Sequence, residues 1–139
     1  MLIHSSTGKA KGVRFDKVET NEKPTAGQRA TYVMDNVSKV QEMHTKLAEE
    51  LSSKTPNEKS IKKYKEIVAC CKSSIASHLE QIVSKEDKKD IKNIVKKIYQ
   101  YLDDDKVEDI EYTLLTLLEH RNPGKYAYQL KIAQQQYGK

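Results

Sequence analysis

The sequence predicts an all-α helical bundle, with a long N-terminal αα-hairpin followed by shorter C-terminal helices. Three observations carry this expectation. Apolar residues recur every three or four positions over long stretches, the spacing that gathers them on one helix face. Glycine and proline are scarce, five and three in 139 residues, which argues against a many-turned β-structure. The punctuation that does occur, TPNE at 55–58, SKED at 84–87 and NPG at 122–124, falls between the periodic segments. Hydrophobic residues make up 37% and charged residues 32%, enough apolar material for a helical core but not for a thick layered fold.

Residues 1–24 read as a flexible basic arm. They hold Ser, Thr, Gly, Lys and Pro24, with Val13, Phe15 and Val18 as isolated apolar positions. Those three alternate imperfectly, so a short docking strand is the competing reading. Residues 25–139 read as a single helical domain, with the hairpin over 25–83 and the C-terminal helices over 84–139.

The first helix is expected to begin between Thr25 and Ala30. Its stripe is Val33, Val37, Val40, His44, Leu47 and Leu51, in steps of four, three, four, three and four, a heptad-like pattern suited to coiled-coil packing. His44 reads as a packed seam residue. At the next boundary Thr55 caps, Pro56 takes the first helical position and Glu58 closes a capping box. The second helix carries Ile61, Tyr64, Val68, Cys71, Ile75, Leu79 and Ile82, and the short turn before it makes the pair antiparallel.

Ser84 caps a third helix, with Asp87 at its third position. Ile91, Ile94, Val95, Ile98 and Leu102 form the apolar face, opposite a face of lysines. The run Asp103–Asp105 reads as the start of a fourth helix, with Asp103 or Asp104 as cap, because free amides at a helix N-terminus favour carboxylates. Val107, Ile110, Leu114, Leu115, Leu117 and Leu118 form the densest apolar segment and the expected centre of the core. A last helix over 125–137 places Tyr126, Leu130, Ala133 and Tyr137 on one face.

The acidic cluster is tested first as a metal site. A calcium loop counted from Asp103 has Val107 at its fifth position, Glu108 at its sixth and Leu114 at its twelfth, where an oxygen ligand, glycine and glutamate are required. Asp105 with Asp109, and Asp104 with Glu108, share helix faces, but no histidine or distant carboxylate pair completes a site. The four histidines are scattered, and HExxH, glycine-rich phosphate and nucleophile-elbow motifs are absent. Cys70 and Cys71 lack further ligands and a recognisable base. No metal, cofactor or catalytic residue is therefore expected, and the chain reads as non-enzymatic. Adjacent cysteines point to a cytoplasmic or other reducing intracellular compartment. No run approaches the roughly 18 apolar residues of a membrane span, so no membrane association is expected.

Net charge is +5, yet its distribution is uneven. Residues 84–102 hold six lysines against three acids, 103–120 hold one lysine against seven acids, and 121–139 hold four basic residues and no acid. An acidic patch bracketed by basic segments, on amphipathic helices, leads to the expected function: a protein-binding regulatory, adaptor or assembly protein. Tyr99, Tyr101, Asp104, Glu108, Glu111 and Tyr112 are its candidate contact residues, and association between copies of the chain is a further option. The alternative is nonspecific DNA or RNA binding through Lys88, Lys89, Lys92, Lys96 and Lys97, with Lys125, Tyr126 and Tyr128 adding interleaved basic and aromatic groups. Arginine, favoured for reading bases, is limited to Arg14, Arg29 and Arg121.

Overall fold

Thr25 sets the start of the first helix. Its side chain accepts from Gln28 N at 3.1 Å, and the Gln28 side chain accepts from Thr25 N at 3.0 Å. This reciprocal capping box satisfies two free amides and opens α1 (Ala26–Leu51). The structure, a computed structural model, describes residues 13–16 and 23–137. Helices are the only regular secondary structure among these residues, and they form an all-α bundle of a long N-terminal pair and shorter C-terminal helices.

Ala30, Val33, Met34, Val37, Val40 and Met43 are the buried apolar positions of α1. The predicted stripe therefore holds as far as Val40 and then departs. His44 and Leu47 are half-buried, and Leu51 is 63% exposed. The hairpin outruns the rest of the bundle: residues 51–59 are exposed throughout, and burial on α2 (Glu58–Ile82) begins only at Cys71. Apolar spacing beyond that point meets only the partner helix.

The cap of α2 lies two residues later than its sequence suggested. Asn57, not Thr55, is in extended backbone and accepts from Lys59 N at 3.0 Å and Ser60 N at 3.2 Å. Asparagine is among the strongest N-caps, so Pro56 falls outside the helix. Ser84 does cap as expected, accepting from Asp87 N at 3.1 Å. The helix it opens, α3 (Lys85–Lys88), is a single turn, and the lysine-faced segment is divided before α4 (Ile91–Asp103). Arg121 spans this corner. Its Nη1 donates to the carbonyls of Gln81, Ile82 and Val83 at 3.0, 3.4 and 3.1 Å, supplying donors at the end of α2 where carbonyls lack helical partners.

The acidic run requires a correction. Asp103 is the last residue of α4 and Asp104 its C-cap, so the run ends a helix instead of opening one. Lys106 N donates to Tyr101 O at 2.8 Å and Asp105 N donates to Leu102 O at 3.2 Å. With Asp105 at φ +55, these two bonds make a Schellman turn. Aspartate visits the left-handed region more readily than most side chains, and Gln41 Nε2 holds its carboxylate at 3.0 Å. Lys72 Nζ approaches Asp103 Oδ1 at 3.1 Å, offsetting a negative charge at the unfavourable end of the helix dipole. The favourable N-terminal acids are Glu108 and Asp109, in the first turn of α5 (Val107–Arg121).

The dense apolar segment of α5 lies in the core as its composition suggested, with Val107, Ile110, Leu114, Leu115, Leu117 and Leu118 all buried. After it, the Glu119 carboxylate accepts from Gly124 N at 2.8 Å and Tyr126 N at 2.9 Å. This ties the turn into α6 (Ala127–Tyr137), while Gly124 takes the φ of +94 that a side chain would resist.

Residues 13–16 of the predicted arm pack onto this bundle, and residues 23–24 lead into α1. Phe15 is 5% exposed and belongs to the same buried cluster as Val33, Ile110 and Leu118. It does so without a strand. Residues 1–12 and 17–22 of the arm, Val18 among them, lie outside the described residues. Among the described residues, no helix is long and apolar enough to cross a membrane.

Candidate functional site

Helices α3, α4 and α5 border an open cleft of about 450 Å³. Its α4 side comes from Ile94, Lys97 and Tyr101, spaced three and four residues apart on one helix face. On α5, Asp109, Tyr112, Thr113 and Thr116 line it, flanking the buried Ile110, Leu114 and Leu117 row. Asp87 comes from α3, and Asp90 from the break that splits the lysine-faced segment. The lining thus combines Ile94 and Leu117, two tyrosines, three aspartates and one lysine.

Several of these groups are already oriented. Lys97 Nζ lies 5.7 Å from the centroid of the Tyr101 ring, so this ring already attracts a cation. His120 Nδ1 lies 2.9 Å from Asp87 Oδ2, joining α5 to α3. Asn93 Nδ2 donates to Asp90 Oδ1 at 2.6 Å. Thr113 and Thr116 donate their hydroxyls to the carbonyls of Asp109 and Tyr112, at 2.7 and 3.0 Å.

The six residues selected from sequence for protein contact do not share one surface. Tyr101 and Tyr112 both line the cleft. Tyr99 turns instead toward α2, where its hydroxyl donates to Lys72 O at 2.6 Å and the Lys72 ammonium sits 5.4 Å from its ring centroid. Burial pushes its phenol pKa up, as expected of a helix–helix joint. Asp104 is exposed on the α4–α5 turn. Glu108 is half-buried, with Oε1 enclosed and lacking a hydrogen-bond partner. Glu111 lies away from the cleft, in a smaller recess of about 260 Å³ shared with Leu115, Tyr128 and Ile132.

Sequence reasoning passed over Asp87, Asp90 and Asp109 as a group. Asp109 was reachable from its place beside the buried row of α5. The other two join it only because the chain breaks between α3 and α4, which no local pattern announced.

The residues of the nucleic-acid alternative are also divided. Lys88, Lys89, Lys92, Lys96 and Lys97 are all exposed, though Lys89 lies 3.7 Å from Glu86 and Lys97 leans over Tyr101. Tyr128 is 75% exposed, whereas Tyr126 is 1% exposed and its ring is closed to a stacked base. Its hydroxyl donates to Asp16 Oδ1 at 2.8 Å, and Lys125 Nζ lies 3.7 Å from the same oxygen.

Among the described residues, no group of three or more His, Cys, Asp or Glu side chains is arranged to hold a metal ion. Both cysteines are free, Cys70 exposed and Cys71 buried. Burial, reinforced by the neighbouring Cys70, pushes the Cys71 thiol pKa up and away from a reactive thiolate. No protein family, curated protein or solved structure matches this chain.

Proposed function

We propose that the chain is a non-enzymatic protein-binding module, serving regulation, adaptation or assembly, and that the cleft between α3, α4 and α5 receives its partner. The observation that carries this reading is one cleft lined by Tyr101 and Tyr112 together with Ile94, Leu117 and three aspartates, Asp87, Asp90 and Asp109. Tyrosine supplies a large apolar face and a polar tip, the combination enriched at protein interfaces. With three aspartates against Lys97 the lining is net acidic, which favours a partner segment with basic flanks and steers its approach. A cleft of about 450 Å³ suits a few side chains of a short segment. Free thiols at Cys70 and Cys71 fit a reducing intracellular setting.

The test is affinity isolation from the native host, with and without nuclease, using the wild-type chain and a Tyr101→Ala/Tyr112→Ala variant of unchanged helical content. The expected result is a protein retained by the wild type through nuclease treatment and lost from the variant. Equal retention by both removes the cleft from the proposal. Loss on nuclease treatment favours the second reading, nonspecific DNA or RNA binding, which rests on exposed Lys88, Lys92 and Lys96. That reading predicts a salt-dependent mobility shift weakened by charge reversal of these lysines.

A further inference from the structure

We infer that the seat of Phe15 and Asp16 is a second recognition site, filled in cis by this chain's own arm, whose trans ligand is a partner protein's segment with an aromatic residue followed by an acidic one. It lies at the start of α1 and beside α6, and it is lined by residues other than those of the α3–α4–α5 cleft.

Two features of the arm are read separately. The Phe15 ring is buried in the core, and its carbonyl accepts from Gln129 Nε2 at 3.2 Å. The Asp16 carboxylate is then gripped from two elements. Thr25 Oγ1 donates to Oδ2 at 2.8 Å and the Tyr126 hydroxyl donates to Oδ1 at 2.8 Å, with the Lys125 ammonium 3.7 Å from Oδ1. The carboxylate occupies a hollow left by the missing side chain of Gly27, since a Cβ there would lie 2.0 Å from Asp16 Oδ2.

A simple apolar latch needs only the ring. Here the polar half is equally built: two hydroxyl donors and a cation converge on one carboxylate, and the hydroxyl of the buried Tyr126 loses its partner when it is absent. The order is read as well, because the Gln129 contact fixes the backbone between ring and acid. Charge complementarity with Lys125 favours an acidic residue at the second position. The seat recognises a dipeptide, without any strand or helix pairing, so the same dipeptide on a partner meets the same donors. The cis copy competes through its effective concentration, on the order of millimolar for a short connection. Occupancy by a partner therefore requires displacement of the arm.

The test uses the full chain with Phe15→Ala and Asp16→Gly, which empties the seat, and a fluorescent synthetic peptide of residues 11–18, KGVRFDKV. Anisotropy is expected to show binding to the emptied chain, and at least about tenfold weaker binding to the wild type, where the arm competes. Replacing Phe with Ala or Asp with Asn in the peptide is expected to abolish binding, as is adding Gly27→Ala to the emptied chain. An emptied chain of native helical content that ignores the peptide, or that binds it regardless of the acid, overturns the proposal. Should the emptied chain not fold, the wild type is photo-crosslinked with a peptide carrying benzoylphenylalanine in place of Phe. Crosslinks to the start of α1 and to α6 support the site, and their absence overturns it. Arm-dependent dimerisation of the wild type without peptide binding also overturns it, in favour of exchange between copies.

Discussion

The Tyr126 hydroxyl donates to Asp16 Oδ1 at 2.8 Å, joining residues 110 positions apart and tying the start of the chain to the start of its last helix. Tyr126→Phe keeps the ring in the core and removes this bond alone. Hydrogen bonds to charged groups contribute about 1.5–3 kcal/mol, and Asp16 retains Thr25 and Lys125, so a loss near the lower end, about 1.5 kcal/mol, is expected in urea denaturation. The same side chain makes stability pH-dependent at the alkaline end. Burial first, then the hydrogen bond and charge of Asp16, raise the Tyr126 pKa above its ordinary 10.0. The unfolded chain therefore loses this proton before the folded one does. This contribution is complete below pH 10 and declines as pH rises beyond it, so a shallower alkaline decline is expected in Tyr126→Phe.

Gly27→Ala separates helix propensity from the seat of the arm. Within a helix, alanine is favoured over glycine by about 1 kcal/mol. Here the new Cβ meets Asp16 Oδ2 at 2.0 Å, so the substitution is expected to destabilise the wild type. In an Asp16→Gly background the obstacle is gone and the same change is expected to stabilise. Denaturation of the four chains in this double-mutant cycle reads the reversal of sign directly.

Asp105 combines a left-handed backbone with a specific partner, and two substitutions resolve them. Asp105→Ala loses the 3.0 Å bond from Gln41 Nε2 and keeps φ near +55 with a side chain. Asp105→Gly loses the same bond and relieves the backbone cost, about 1 kcal/mol. The glycine variant is expected to exceed the alanine variant by about 1 kcal/mol in chemical denaturation and to lie close to the wild type. Equal stabilities would contradict the assignment of this residue as the helix-ending position.

These turns also mark where the sequence was legible. Helix formation is local, so the long N-terminal pair and the buried run of α5 followed from spacing. Burial is not local: Leu47 and Leu51 continue the α1 stripe but extend past the helices that cover Val33 to Val40. The acids between Leu102 and Val107 suit the end of one helix or the start of the next, and only the Asp105 backbone decides between them. The site divides in the same way. Tyr101, Tyr112 and Tyr99 all read as amphipathic anchors from sequence, and Tyr126 as a stacking platform for a base. The latter two are set apart by partners distant in sequence, the Lys72 carbonyl and the Asp16 carboxylate.

His78 gives the hairpin an acid-side sensitivity. Its ring centroid lies 5.4 Å from that of Tyr32, and its Nδ1 is 3.4 Å from Arg29 Nη1, both on α1. Burial first, and the Arg29 charge second, lower its pKa below the ordinary 6.5. The unfolded chain thus takes up a proton at a pH where the folded chain does not. No contribution to the pH slope arises well above 6.5; stability falls as pH drops below 6.5 and levels off beneath the folded pKa. His78→Gln, which retains a polar group of similar length without the titration, is expected to flatten this part of the curve. Denaturant midpoints for both chains between pH 7.5 and about 5 make the comparison, and parallel curves would show that His78 is not the titrating group.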